Sequence, residues 1–163
     1  MTKRLKYFVG GEWRDSATDE WYPITNSSTG EVMAEAPRCT PDEVNSAVAA
    51  AAAAYPAWRD TPLPTRVQVM YRLKERLEAN LHDLAVLMST EMGKTYVEAR
   101  GDVLKVIEVV ELACALPVTM QGDSLMNVSR GFDTVTYREP LGVFVGIAPW
   151  NFPGMIPMGW MMP

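Results

Sequence analysis

Hydrophobic and polar positions in the middle of the chain follow a helical period. Residues 40–43, Thr-Pro-Asp-Glu, form a capping box with proline at the first helical position, which predicts a helix start. The residues that follow place one apolar group on each successive turn of the same face: Val44, Ala47, Val48, Ala51, Tyr55 and Trp58. This pattern predicts an amphipathic helix.

Two further helical stretches follow this first helix. An apolar stripe with three- and four-residue steps begins near Pro64 and continues through a break near Asn80. Gly93 ends the stripe. Residues 97–116 are apolar on most faces, which is typical of an interior helix, and Pro117 should end or kink it.

The segments on either side of the helices show strand and turn signals. Residues 1–39 contain a two-glycine hairpin signal at Gly10-Gly11 and a second turn at residues 26–30 between two strand-like stretches. Residues 134–138 alternate with period two, which predicts an amphipathic strand. The continuous apolar run 143–148 predicts a strand buried on both faces, as in parallel sheets. Small strands, helices and a buried strand together predict an α/β fold that is cut off early.

Composition narrows the classes of function. The 163 residues carry a formal net charge of −5 with no basic run, which argues against nucleic-acid binding. Residues 141–163 are uncharged and long enough to span a bilayer, but Pro149, Pro153 and Pro157 interrupt them, so we predict no membrane span. The N-terminus has no secretion signal, so a reducing cytoplasm is the expected location. The two cysteines are not spaced as a metal site.

Asn151 is the best candidate for a functional polar side chain. It follows the apolar run, it is flanked by Trp150 and Phe152, and a proline lies on each side of this triplet. A neutral amide donor held rigidly among apolar groups suits the stabilisation of a developing oxyanion. The alternative is that the amide only satisfies backbone groups in a tight turn. The residue types alone favour neither reading.

Several motifs occur in the same order as in one known family. They are the opening strand Tyr7–Trp13, the turn Asn26–Val32, the Glu91-Met-Gly-Lys94 element with Glu98-Ala99 after it, the segment Tyr137–Val143, and Pro149-Trp-Asn-Phe-Pro153 after the apolar run. Together they resemble the aldehyde dehydrogenase superfamily over essentially the whole chain. The resemblance implies the N-terminal part of that fold: a β-hairpin region and helical layer with oligomerisation-type strands in residues 1–140, and the first strand of a parallel nucleotide-binding sheet in residues 141–163.

The resemblance also implies roles for residues around the apolar run. Asn151 matches the asparagine whose amide helps to hold the oxyanion of a thiohemiacetal, and Ala148, Pro149 and Trp150 match residues that border the cofactor. NAD, or NADP, would accept hydride from an aldehyde bound to a cysteine thiolate. The parent enzyme would be a homo-oligomer. Lys94 belongs to a motif that looks structural.

Within the superfamily, the chain is most similar to the methylmalonate-semialdehyde dehydrogenase group. Residues 100–103, 108–114, 120–124 and 154–163 carry this resemblance. The group transfers its acyl product to coenzyme A. It usually has phenylalanine where this chain has Trp150, and tends to have arginine where this chain has Lys105, a position associated with a substrate carboxylate. Lysine supplies the charge without the bidentate fork of arginine.

The catalytic cysteine and glutamate of the family would follow after residue 163. Cys39 precedes a helix cap and Cys114 lies on the interior helix, so neither is expected to be the nucleophile. We therefore expect the chain by itself to be inactive. The alternative function is a non-catalytic interaction module that docks onto a full-length homologue, because the apolar run and its Met- and Trp-rich continuation would lack their usual neighbours.

Overall fold

A computed structural model describes residues 2–163 and shows a mixed α/β chain dominated by helices. The helices are α1 Pro41–Asp60, α2 Leu63–Ala79, α3 Leu81–Met92, α4 Tyr96–Cys114, α5 Leu116–Thr119 and a wider-turned π helix, Met155–Met161. The predicted helix start at Thr40, the break at Asn80 and the helix end at Gly93 are all confirmed.

The strands form three small sheets. They are β1 Lys3–Arg4, β2 Tyr7–Val9, β3 Glu12–Arg14, β4 Trp21–Thr25, β5 Val32–Pro37, β6 Ser124–Ser129 and β7 Phe132–Val135. One sheet has the order β1-β5-β4, with β1 parallel and β4 antiparallel to β5. The two-glycine turn joins β2 to β3 as predicted, and Gly10 and Gly11 both have positive φ there.

The hydrophobic core is built around α4. Val103, Val106 and Val110 are fully buried on this helix, and they pack with Leu77 of α2 and Met88 of α3. The prediction of an interior helix is confirmed. Met155 and Met158 pack against the same cluster, so the core also supports the π helix near the end of the chain.

Capping boxes begin two of the helices. The hydroxyl of Thr40 accepts a hydrogen bond from the backbone N–H of Glu43, whose carboxylate accepts one from the N–H of Thr40. Thr95 and Glu98 repeat this arrangement at the start of α4. Glu43 also accepts hydrogen bonds from the Ser16 hydroxyl and the Ala17 N–H, so it ties the N-terminal strands to α1.

The turn between β4 and β5 contacts the end of α3. The backbone N–H of Ser27 donates a 3.2 Å hydrogen bond to the carbonyl of Glu91. Gly93, the residue that caps the end of α3, has a φ of 82°, a conformation that glycine adopts without strain. The carbonyl of Glu91, in the last turn of α3, is thus paired with the turn between β4 and β5.

The structure differs from the sequence-based expectation in residues 143–148. They belong to none of the described strands, and Phe144, Val145 and Ile147 are 76%, 79% and 89% exposed. The prediction of a strand buried on both faces is wrong for this chain as folded here. A parallel strand needs neighbours for its hydrogen bonds and for both faces, and the described residues supply none.

Three further details differ. The predicted strand at 134–138 is instead β7, paired with β6 through a turn in which Gly131 has a φ of 82°. The Met- and Trp-rich continuation, for which the sequence pattern predicts no helix, forms the π helix. No residue of α1 is buried, and Val44 of its apolar face remains 52% exposed, because no described element covers that face.

Within residues 2–163, no helix combines the length and the apolar character needed to cross a bilayer.

Candidate functional site

The loop Trp150–Pro153 separates two clefts. Trp150 and Pro153 line the larger one, a cavity of about 1110 Å³ between β4 and α3 whose walls include Ile24, Leu87 and Met88. Phe152 lines a smaller cavity of about 320 Å³ on the side of α4. Side chains of one short loop therefore line two different cavities, and Asn151, between Trp150 and Phe152 in sequence, lines neither.

Asn151 itself is exposed in the structure. Among residues 2–163, no side chain or backbone group forms a hydrogen bond with its amide. The amide is thus open to solvent, and within the described structure it does not satisfy the groups of its own turn.

A buried carboxylate holds the chain just after this loop. The backbone N–H of Met155 donates a 3.2 Å hydrogen bond to Oδ1 of Asp102, whose side chain is only 1% exposed. Lys94 Nζ lies 3.6 Å from Oδ2 of the same carboxylate. The same ammonium lies 4.4 Å from the centroid of the Phe152 ring, within the range of a cation–π contact. One ion pair therefore contacts both the loop and the π helix.

Lys105 lies on α4 and lines the smaller cavity together with Phe152 and Met155. It is exposed, and its ammonium is paired with Glu108 one turn further along the helix. The structure thus places Lys105, the residue predicted to bind a carboxylate, close to the loop Trp150–Pro153, which carries the family-like motif and is called the signature loop below. Asn151 is not among the residues that line this cavity.

Ala148, Pro149 and Trp150 form an open strip before Asn151. Ala148 is half-buried, Pro149 is exposed and Trp150 is 84% exposed. Trp150 also lines the larger cavity, so the strip borders that cleft. A cofactor site normally covers most of its ligand's surface, and the described residues around this strip form no such enclosure.

The two cysteines, Cys39 and Cys114, are both free thiols. Cys114 is buried at the end of α4, and burial raises the pKa of its thiol, which disfavours the reactive thiolate. Cys39 is half-buried between β5 and α1. Within the described part of the chain, no cluster of three or more His, Cys, Asp or Glu side chains could hold a metal ion.

Asp102 is the residue near the site that the sequence reasoning missed. Its signal was present, because an aspartate beside Val103 and Val106 interrupts the apolar surface of a helix that packs on most faces. A charged group at such a position is expected to have a buried partner. Lys94, two residues after the end of α3, supplies it.

Comparisons with known proteins agree on one family. The family profile described as "Aldehyde dehydrogenase family" matches residues 13–163. The human mitochondrial acylating methylmalonate-semialdehyde/malonate-semialdehyde dehydrogenase is 42% identical over 98% of the chain, which corresponds to 30% of that protein.

Solved structures give the same result. The methylmalonate-semialdehyde dehydrogenase from Oceanimonas doudoroffii has a TM-score of 0.90 at 34% identity, covering 97% of this chain and 32% of that one. The NAD-dependent aldehyde dehydrogenase from Sinorhizobium meliloti has a TM-score of 0.88 at 29% identity, covering 96% and 32%. The chain thus spans about a third of the length of the proteins it matches.

Proposed function

The chain belongs to the aldehyde dehydrogenase family, and on that premise we propose that it forms the N-terminal part of an NAD(P)-dependent semialdehyde dehydrogenase. In this proposal, residues 1–140 make the hairpin and helical region, and residues 141–163 begin the cofactor-binding sheet. The observation that carries the proposal is the exposed amide of Asn151 in the family's signature loop, directly after the open strip Ala148–Trp150.

The proposed reaction oxidises an aldehyde through a thiohemiacetal and then a thioester. A cysteine thiolate adds to the aldehyde carbon, and the carbonyl oxygen gains negative charge as the new carbon–sulfur bond forms. The amide of Asn151 donates a hydrogen bond to that oxygen. An amide cannot lose its proton to the oxyanion at neutral pH, so it stabilises the charge without neutralising it.

Ala148, Pro149 and Trp150 would hold the cofactor against the same loop. The nicotinamide cofactor, when bound, accepts the hydride that leaves the thiohemiacetal carbon. The role of these three residues is to supply a close, apolar surface and to exclude water on one side. The human relative is named as an acylating dehydrogenase, and in this proposal coenzyme A accepts the acyl group.

Lys105 would bind the carboxylate of a semialdehyde. It is one of two lysines that line the smaller cavity, beside Phe152 of the signature loop. Lys94 is the other, and it is already paired with Asp102. Lys105 pairs only with Glu108 at the surface, an interaction that a substrate carboxylate can replace at little cost.

By itself the chain is proposed to be inactive. Both of its cysteines lie away from the loop in sequence, and Cys114 is buried with a raised pKa. The nucleophile, the homo-oligomeric assembly and a cytoplasmic location belong to the proposal for the whole enzyme. The human relative is mitochondrial by name.

A chimera tests this function. The 163 residues would replace the matching segment of the Oceanimonas doudoroffii enzyme, and formation of reduced nicotinamide would be followed with malonate semialdehyde, with and without coenzyme A. We expect turnover that requires both the aldehyde and the cofactor. A folded, inactive chimera would contradict the proposal. A smaller graft of residues 141–163 keeps the test informative if the larger graft does not assemble.

A second candidate function is a non-catalytic module that docks onto a full-length homologue. The observation in its favour is the exposed apolar segment 141–147, in which Leu141 and Ile147 are 88% and 89% exposed. Such a segment can add to the edge of another sheet. Co-purification of the chain with the intact Oceanimonas doudoroffii enzyme would support this function, and a stable monomer in the presence of that enzyme would exclude it.

A further inference from the structure

We propose that Asp102 and Lys94 act together as positioning residues for the loop that carries Asn151. This inference rests on the oxyanion role proposed for Asn151, because it assigns the groups that fix where that amide is presented. Both residues line the smaller cavity beside Lys105, and the proposed reaction assigns neither of them a bond to the substrate or the cofactor.

The first step of the argument is the burial of Asp102. Its side chain is 1% exposed within the core helix α4, and one of its oxygens has no hydrogen-bond partner among the described residues. A buried carboxylate of this kind is costly to a fold, so helix packing alone does not explain it. The contacts that the carboxylate makes with Met155 and Lys94 offset this cost.

The second step is what the carboxylate contacts. Oδ1 accepts the N–H of Met155, which lies 53 positions later in the chain and four residues after Asn151. The first N–H groups of a helix have no intrahelical partner, and a carboxylate that accepts one of them also interacts favourably with the helix dipole. Asp102 therefore caps the π helix from a different element and fixes where the preceding loop must end.

The third step is the part played by Lys94. Its ammonium lies 3.6 Å from Oδ2 of Asp102 and 4.4 Å from the ring centroid of Phe152. It thus compensates the buried charge and at the same time contacts the residue directly after Asn151. The cation of Lys94 contacts the loop at Phe152, and the carboxylate of Asp102 holds the chain at Met155, three residues later.

Amide hydrogen exchange measured residue by residue tests the proposal in the 163-residue chain. For Asp102→Ala we expect the Met155 amide to exchange roughly tenfold faster, while the amide of Val106 in the middle of α4 changes less than about twofold. Asp102→Asn retains an oxygen that can accept from Met155, so its effect should be smaller. Asp83→Asn, at an exposed aspartate on α3, is the matched control and should change neither amide.

The role of Lys94 is tested by substitution with methionine, which keeps the unbranched apolar stem and removes the ammonium group. Lys94→Met should speed exchange at Met155, and the double variant Lys94→Met/Asp102→Asn should recover part of the loss because it leaves no isolated buried charge. Equal acceleration at Met155 and Val106 in every variant would mean a purely structural role and would overturn the proposal. Unchanged exchange at Met155 would also overturn it.

Kinetics in the chimera separate this inference from the proposed function. Asp102→Ala, which removes both carboxylate oxygens, should lower kcat about tenfold with little change in KM, because a displaced Asn151 amide would fail to stabilise mainly the transition state. Asp102→Glu should recover part of this loss. An inactive parent chimera whose Met155 amide is still protected would contradict the proposed function and leave the positioning role intact. Normal kcat in a variant with a released Met155 amide would overturn the positioning role alone.

Discussion

The hydroxyl of Tyr55 on α1 donates a 2.8 Å hydrogen bond to the backbone carbonyl of Pro140. This contact fixes the start of the apolar segment, and the contact of Asp102 with Met155 fixes the chain beyond the signature loop. Between them, within the described structure, residues 141–151 form no backbone–backbone hydrogen bond. The candidate site therefore lies on a stretch that is anchored at both ends and open in between.

Removal of the Asn151 amide should strongly reduce turnover. In the chimera we expect Asn151→Ala to lower kcat by about 10²–10³, the usual effect of losing one oxyanion donor. The measurement is steady-state formation of reduced nicotinamide. Asn45→Ala, at an exposed asparagine on α1, is the control and should leave kcat unchanged. Equal kcat for the two variants would exclude an oxyanion role.

Substitution of Lys105 should affect substrates that carry a carboxylate. In the chimera, Lys105→Met should raise the KM for malonate semialdehyde about tenfold, because it removes a charged hydrogen-bond donor. Lys105→Arg should retain or lower KM, since arginine can bind a carboxylate with two hydrogen bonds. Propanal has no carboxylate and is the control substrate. The same rise in KM for both aldehydes would contradict a role in carboxylate binding.

The 163-residue chain should bind NAD negligibly by itself. Ala148, Pro149 and Trp150 form one open wall, and a dinucleotide on such a surface would remain largely in contact with water. We expect a Kd weaker than about 1 mM by titration calorimetry, which corresponds to a binding free energy of only about −4 kcal/mol. The NAD-dependent Sinorhizobium meliloti enzyme provides the positive control. Micromolar binding would show that the chain already forms an enclosed site.

Stability should decrease in acid partly through Glu43. Hydrogen bonds from the Ala17 and Thr40 backbone and from Ser16 lower the pKa of its carboxyl from the ordinary value of 4.5. The folded state binds the proton less tightly than the unfolded state, so this stabilisation is complete above pH 4.5 and is lost as the pH falls through the lower folded pKa.

Glu43→Gln should therefore flatten the dependence of Tm on pH in this acid range. Thermal unfolding followed by circular dichroism at a series of pH values measures the effect. Glu75→Gln, at an exposed glutamate on α2, should leave the slope of the native chain unchanged. An identical slope for Glu43→Gln and the native chain would show that the carboxylate does not link the strands to α1.

The core should be sensitive to a cavity at Leu77. This side chain is 3% exposed and packs against α4, so Leu77→Ala should reduce the free energy of unfolding by about 2–5 kcal/mol. Leu112→Ala removes the same atoms from a side chain that is 72% exposed, and it should cost less than about 0.5 kcal/mol. Urea unfolding of both variants gives the comparison. Similar losses would mean that the helices do not pack around Leu77 in solution.

The helices could be predicted well from the sequence because their signals are local. Thr40 with Glu43, and the glycine at position 93, determine helix ends through hydrogen bonds and backbone conformation within a few residues. The apolar surface of α4 likewise identifies an interior helix without knowledge of its partners. The hairpin at Gly10-Gly11 follows from the conformational freedom of glycine.

The segment 143–148 could not be predicted in the same way. Its apolar pattern indicates side chains that a parallel sheet would bury on both faces. Whether the segment forms a strand depends on whether other strands are present to pair with it. The site shows the same limit. Asn151 was identified from its neighbours in sequence, but the contact between Asp102 and Met155 joins residues 53 positions apart and required the tertiary structure.

The contact of Ser27 with Glu91 has a consequence for synthesis of the protein. These residues are 64 positions apart, so β4 and β5 leave the ribosome well before the end of α3 that they contact. At about 5–20 residues per second, the small sheet waits for several seconds with its helix-facing side uncovered. During that interval the turn lacks the Glu91 carbonyl with which Ser27 pairs in the folded chain.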